Sequence, residues 1–379
     1  MMHHDAFQRP FEGPDGVGGY AATCPYCRRM LTEQVYVGPT GELIGCEDCA
    51  IERGLIGEPI SLEEWFEPEG LHDVLRQFGL SNWKIRKPDP TPTQQPRAHY
   101  WEIMADGSRY FLKRFYSWYP ATAVQHMHSV MAHLIKQQIP APQWVADTTT
   151  GQSYAEAAGT CWGLYRALDG HSATIQEWMW GRPKAAEMLA VLHRALDGFR
   201  PEGEEFNIWG AWSLDTVDRV LENWQPHPDL SPDLLGHIRE RLATRYFGDL
   251  YPALPKFVVH GDYVATNVLW RGDAISANVS GVLDFEKAHR DTALFDFAWG
   301  LGDRRPPLLR ATIATYSRVR PLSPIEREAM PEALLLGALM SIDMQMTYFR
   351  NMEEVSRLAQ ELMMLVRDLE SLRKAAALK

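Results

Sequence analysis

No apolar run in this chain approaches the ~18–20 residues of a membrane span, and the N-terminus carries no apolar signal core. The first absence argues against a membrane partner, and the second leaves nothing that marks export. Basic residues are the minority, 38 Lys and Arg against 49 Asp and Glu, for a net charge of −11. That balance argues against nucleic acid as the default partner and suits a cationic substrate. Cysteine is scarce, five in 379 residues. Four of the five form two C-x-x-C pairs, which favours metal binding in a reducing compartment over disulfides, and a cytoplasmic location is expected. Acid is missing altogether between Asp106 and Asp147. A glycine-rich phosphate loop is missing too. Gly16 to Ala21 formally fits the dinucleotide fingerprint, but no strand precedes it and a Cys-Pro follows, so it is rejected.

The chain is organised around residues 257–299. Phe257-Val258-Val259 reads as a short buried strand. A polar loop runs from His260 to Asn267. Val268-Leu269-Trp270 leads into a Gly272-Asp273 turn, and a third run, Val279 to Leu283, ends on Asp284. Asp262, Asn267 and Asp284 therefore sit where strands end and loops begin. Two carboxylates and an amide gathered there form a hard-oxygen site of the kind Mg²⁺ prefers. Phosphoryl transfer needs such a site, with a separate carboxylate to take the proton of the attacking hydroxyl. The spacing Asp-x4-Asn, then a strand and an Asp, has the layout of a kinase catalytic loop and its metal-binding Asp.

With His260-Gly261-Asp262, Asn267, Asp284-Phe285-Glu286 and the later Asp296, the sequence resembles the small-molecule kinases of the aminoglycoside phosphotransferase, choline kinase and type II homoserine kinase group. The resemblance implies an α+β, two-lobed protein-kinase-like fold over residues ~81–379. It implies Asp262 as catalytic base, Asn267 and Asp284 as Mg²⁺ ligands with Glu286 assisting, and Asp296 as a structural residue beneath the catalytic loop. It implies that Lys113, on the third strand, positions the ATP phosphates, and that the backbone of Arg166, Ala167 and Leu168 forms the adenine-binding hinge. In kinases a helix glutamate pairs with the strand lysine. Here that helix, over 124–138, has no acid, and Gln125, His126 and His128 stand near the expected position around Met127.

Ahead of this domain, Cys24, Cys27, Cys46 and Cys49 pair across 18 residues. Four thiolates so spaced suit one tetrahedral Zn²⁺. Val35-Tyr36-Val37 and Leu43-Ile44 read as a hairpin between the pairs. Three Arg and no Lys stand against five acids over 20–55, which gives no nucleic-acid footprint. Ser61 with Glu64 reads as a capping box that starts a helix, and Leu71, Val74, Leu75 and Phe78 fall at helical spacing up to Gly79. Residues 185–197 form an amphipathic helix in which His193 reads as a satisfied core or interlobe histidine, not a catalytic one. Cys161 reads as core. The aromatic and acidic stretch 199–235 is either a helical insertion or a surface for a cationic amine. Long helices are expected over 325–350 and 352–374. The Val355 to Leu372 stripe in the second packs on its own lobe by default, with a homodimer seam as the alternative.

The expected organisation is a flexible tail over 1–19, a four-cysteine zinc module over 20–56, a helical connector over 57–80, an N-lobe over 81–168 and a C-lobe over 169–379. The expected activity is transfer of the ATP γ-phosphoryl group to a hydroxyl of a small, amine-bearing acceptor. Two rivals are a catalytically weak scaffold with a zinc docking module, and a protein kinase. A Gly rather than an Arg before Asp262 counts against the latter.

Overall fold

The structure, a computed structural model, describes residues 67–86, 100–206, 213–223, 232–272, 278–301, 306–345 and 352–377. Short strands are described ahead of them. Phe11–Glu12 pairs with Gly18–Gly19 inside the expected tail, and Ala22–Thr23 pairs with Met30–Leu31. The four paired cysteines lie outside the described residues. The chain divides into two compact units, Met1–Val124 with Gln143–Ala167, and Gln125–Pro142 with Leu168–Lys379.

In the first unit, Gln34–Val37 pairs with Leu43–Gly45 and also with Glu58–Ser61. Ser61 ends that strand, opposite Gln34, with Ile60 opposite Val35. An N-cap keeps extended backbone, and Leu62 to Glu64, where the helix start is expected, lie outside the described residues. A helix begins at Leu71 and runs to Gln77. Gly79, at φ 72°, closes it, with the Leu80 N–H returning to the Leu75 carbonyl at 3.1 Å. That is a Schellman ending.

A five-stranded antiparallel sheet follows, in the order Ala155–Ala157, Thr160–Arg166, Ser108–Arg114, Tyr100–Ala105, Lys84–Arg86. Its central hairpin turns on Asp106 and Gly107, both at positive φ, as a two-residue turn matched to strand twist requires. Strand alternation sends Trp101, Ile103, Tyr110 and Leu112 to one face, where Leu71, Val74, Leu75 and Phe78 pack with them. Burial of each such side chain contributes roughly 1.5–3 kcal/mol, so the short helix belongs to this sheet's core. Cys161 is buried, and that burial raises its thiol to about 11.

In the second unit the helix read over 185–197 starts ten residues earlier and spans Ile175–Leu196. Thr174 and Glu177 close a capping box around its N-terminus. Phe257–Val259 pairs with His289–Asp291. The hairpin Val268–Arg271 with Asn278–Val282 takes His171–Ser172 as a third strand. Helix Pro324–Met344 is buried over most of its length, including two carboxylates. One of these, Glu332, meets Arg241, Arg245 and Arg373 from three other segments. The expected 352–374 helix is interrupted at Asp368, giving Met352–Arg367 and Leu369–Ala377. Val355, Leu358, Leu362, Leu365, Leu369 and Leu372 are all buried within the chain. The stripe read as an alternative homodimer seam is thus already covered by the chain itself. Among the described residues no helix is long and apolar enough to cross a membrane.

Candidate active site

The site is assembled by the end of one strand and the end of one hairpin. Phe257–Val259 is wholly buried and delivers the chain to His260 at its end. In the hairpin, Val268 stands opposite Val282, and the Leu283 N–H donates to the Asn267 carbonyl at 2.8 Å. That pairing fixes Asn267 and Asp284 at the same end of the ladder. Asp284 takes the left-handed conformation, φ 62° and ψ 66°, before a tight turn over Phe285–Lys287. A non-glycine residue held there costs of order 1–3 kcal/mol, a strain that clusters at functional sites. Glu286 lies in that turn.

Asp262 is buried and has donors on both carboxylate oxygens. The Trp299 indole donates to Oδ1 at 2.9 Å. Asn267 Nδ2 donates to Oδ2 at 3.2 Å and to the Asp262 carbonyl at 2.9 Å. Lys287 Nζ approaches Oδ2 at 2.9 Å, with side chains 4 % and 7 % exposed. With the Asn267 amide nitrogen turned to Asp262, its carbonyl oxygen is the atom left for a cation. The donor set of Asn267 with the Asp284 and Glu286 carboxylates fits a hard cation such as Mg²⁺.

The loop stands on Asp296, which is fully buried. Its carboxylate accepts the His260 N–H and the Gly261 N–H, each at 2.8 Å, and His193 Nε2 at 2.9 Å. Burial alone would raise the Asp296 pKa, but the His193 hydrogen bond and the nearby histidines hold it below the usual carboxylate value. Burial lowers the pKa of His193, so that ring is neutral. The Tyr316 hydroxyl donates to its Nδ1 at 2.7 Å, Arg320 reaches that hydroxyl, and Glu326 holds Arg320. His260 bonds the Leu283 carbonyl through Nε2 and receives the Asp262 N–H on Nδ1, tying the loop to the strand before Asp284.

Two glycines permit these crossings. At Gly261, φ 80°, an added Cβ would lie 2.0 Å from the Lys287 carbonyl oxygen. At Gly300 it would lie 1.5 Å from the Tyr263 carbonyl oxygen, where the π-helix Phe297–Leu301 passes the loop. Single π turns of this kind occur often at functional sites.

Lys113, Arg166 and Ala167 belong to the first unit. Lys113 is buried on the sheet face opposite the core, paired across strands with Tyr100 and Gly163. Its ammonium lies 4.7 Å from the centre of the Tyr100 ring and 5.4 Å from that of Phe115, a cation–π seat. The Arg166 guanidinium stacks over Tyr110, and the Ala167 N–H donates to the Arg109 carbonyl. Helix Ala121–Lys136 lies within the acid-free segment, and its His126 is buried. Burial dominates and lowers the pKa of His126, so the ring is neutral and supplies no charge in place of a glutamate.

Residues 98–330 match the model of the phosphotransferase enzyme family, more than half of the chain. The chain belongs to that family. It is similar to the homoserine kinase of Phenylobacterium zucineum, with 32% identity over 157 residues, 39% of this chain and 46% of the relative. The homoserine kinase of Polaromonas naphthalenivorans is 31% identical over 222 residues, 55% and 66% of the two chains. The first of these matches covers less than half of its relative's length, and the second about two thirds. Among solved structures, a microcompartment-associated aminopropanol kinase superposes with a TM-score of 0.62 at 14% identity, covering 81% of this chain and 98% of that one. An aminoglycoside phosphotransferase from Alicyclobacillus acidocaldarius gives 0.58 at 16% identity, over 80% and 96%. These likenesses establish the α+β, kinase-like fold of the family member.

Sequence reasoning missed Lys287, Trp299 and the chain from His193 to Glu326. Lys287 directly follows the Asp-Phe-Glu motif, and Trp299 lies three residues beyond Asp296. Neither position has a role that spacing alone reveals.

Proposed function

We propose that this protein transfers the γ-phosphoryl group of ATP to a hydroxyl of a small, amine-bearing molecule. The observation that carries the reading is Asp262 and Asn267 hydrogen-bonded to each other, with Asp284 fixed at the same hairpin end. In this reading Asp262 takes the hydroxyl proton, and Asn267, Asp284 and Glu286 hold Mg²⁺. The ion, when bound, neutralises phosphate charge. Lys113 contacts the phosphates, its ammonium oriented by Tyr100, and the backbone of Arg166, Ala167 and Leu168 receives the adenine. Asp296 keeps the catalytic loop in shape. The homoserine, aminopropanol and aminoglycoside kinases that the chain resembles make an amino alcohol the first acceptor class to try. The test is turnover of Mg·ATP with homoserine, 1-amino-2-propanol and an aminoglycoside, followed as ADP release and phosphorylated product. Product with one of them supports the reading. Nucleotide binding with no product from any acceptor favours the scaffold reading, which the acid-free helix supports.

The amino-terminal cysteines are assigned, also as a proposal, to one structural Zn²⁺ bound by Cys24, Cys27, Cys46 and Cys49, in a protein working in the reducing cytoplasm. Elemental analysis of protein purified without chelator is expected to give one zinc per chain. Chelation is expected to unfold the module without loss of the kinase-like domain's thermal transition. Metal-free protein with an unchanged fold would remove the assignment.

A further inference from the structure

We infer that Lys287 is a second catalytic residue, whose ammonium passes from Asp262 to the oxygens of the phosphoryl group in flight. The inference rests on the reading of Asp262 as the base.

Lys287 ends the turn that starts at Asp284. Its backbone is fixed from two sides. The carbonyl oxygen fills the space that a Cβ at Gly261 would need, and it accepts a hydrogen bond from His289 Nδ1 at 2.7 Å. The side chain leaves this anchored point and reaches Asp262 Oδ2. Orientation of the carboxylate does not require it, since two neutral groups, the Trp299 indole and the Asn267 amide, already donate to Oδ1 and Oδ2. A buried ion pair is also weak evidence for stability, because desolvating both charges offsets much of their attraction. Charge on Lys287 is therefore explained best by the reaction.

The distances allow it. A base works within about 3 Å of the proton it takes, and the attacking oxygen stands about 3–3.5 Å from the phosphorus. An ammonium on Asp262 Oδ2 is thus within a rotamer change of the transferring group. In the step itself, the acceptor O–H bond breaks and its proton goes to Asp262. The new O–P bond forms as the bond to the ADP oxygen breaks, and ADP leaves with that electron pair. Lys287 remains protonated throughout. As Asp262 is neutralised by the incoming proton, its hold on the ammonium weakens while negative charge builds on the phosphoryl oxygens. The cation follows the charge.

The test compares Lys287→Met and Lys287→Arg with Asp262→Asn, using Mg·ATP and the best acceptor of the panel, or water if none is better. Lys287→Met is expected to lower kcat roughly 10²–10³-fold, the loss typical of one preorganised charge-stabilising donor. The KM and Kd for ATP should change less than about threefold, the span expected when a contact is made only in the transition state. Lys287→Arg should recover at least about tenfold of the loss, because the cation is kept.

Native kcat in Lys287→Met, a loss confined to ATP affinity, or equal losses in Met and Arg would each overturn the inference. If the Met variant does not fold, Lys287→Gln replaces it under the same criteria. Asp262→Asn inactive with Lys287→Met native removes this inference alone. Wild-type silence, or a native Asp262→Asn, removes the reading of the site and this inference with it.

Discussion

Asp262→Asn is expected to lower phosphoryl transfer by roughly 10²–10⁴-fold, the range for loss of a general base. The substitution is nearly isosteric, and the amide oxygen can still accept from Trp299 or Asn267. What it lacks is a site for the hydroxyl proton. It also removes the negative charge that stands 2.9 Å from Lys287 Nζ. ATP binding should survive, because the proposed nucleotide contacts lie on Lys113, Asn267 and Asp284. The pair of measurements is steady-state turnover and ATP affinity by calorimetry. Turnover comparable to the native protein would show that another group takes the proton.

Asp296→Ala is expected to have the largest effect on stability, about 3–5 kcal/mol, as for removal of one partner from a buried charged network. The alanine leaves the His260 and Gly261 N–H groups without an acceptor, in a place no solvent reaches. Each buried donor so orphaned costs about 1–3 kcal/mol. His193 loses the acceptor for its Nε2 as well. The denaturation midpoint should fall, with activity falling at temperatures where the chain is still folded, because Asp262 hangs on the same loop. An unchanged midpoint would show that the loop is held elsewhere. The same network gives stability a pH dependence of definite sign. His193 is neutral in the fold and its pKa is lowered by burial, whereas the unfolded chain protonates it near pH 6.5. Stability from this group is therefore full above about pH 6.5 and declines as pH falls below it.

The loop, the hairpin and the order of their polar residues were legible because short-range signals agree there. Strand-forming runs stop at the loop that carries Asp262 and again just before Asp284, with a turn residue at Gly272 between them. Register did the rest: once Val268 faces Val282, Asn267 must lie beside Leu283. The partners of Asp262 were illegible because they depend on chain crossings. Lys287 reaches the carboxylate only because Gly261 lets its backbone pass, and Trp299 only because Gly300 admits the Tyr263 carbonyl. Nothing in the spacing of Asp-Phe-Glu-Lys distinguishes a lysine turned inward from a solvated one. The beginning of the Ile175–Leu196 helix was readable in Thr174 and Glu177, but Gly181 and Pro183 masked the periodicity between.

The crossings at Gly261 and Gly300 bear on how the protein would start a reaction cycle. At both points backbone touches backbone, with less room than a single methyl group needs. A junction so tight has no play. The segments around Asp262, Lys287 and Trp299 must travel together or stay still, like gears cut without backlash. The base would then be set before any substrate arrives, and turnover would not wait for this loop to assemble.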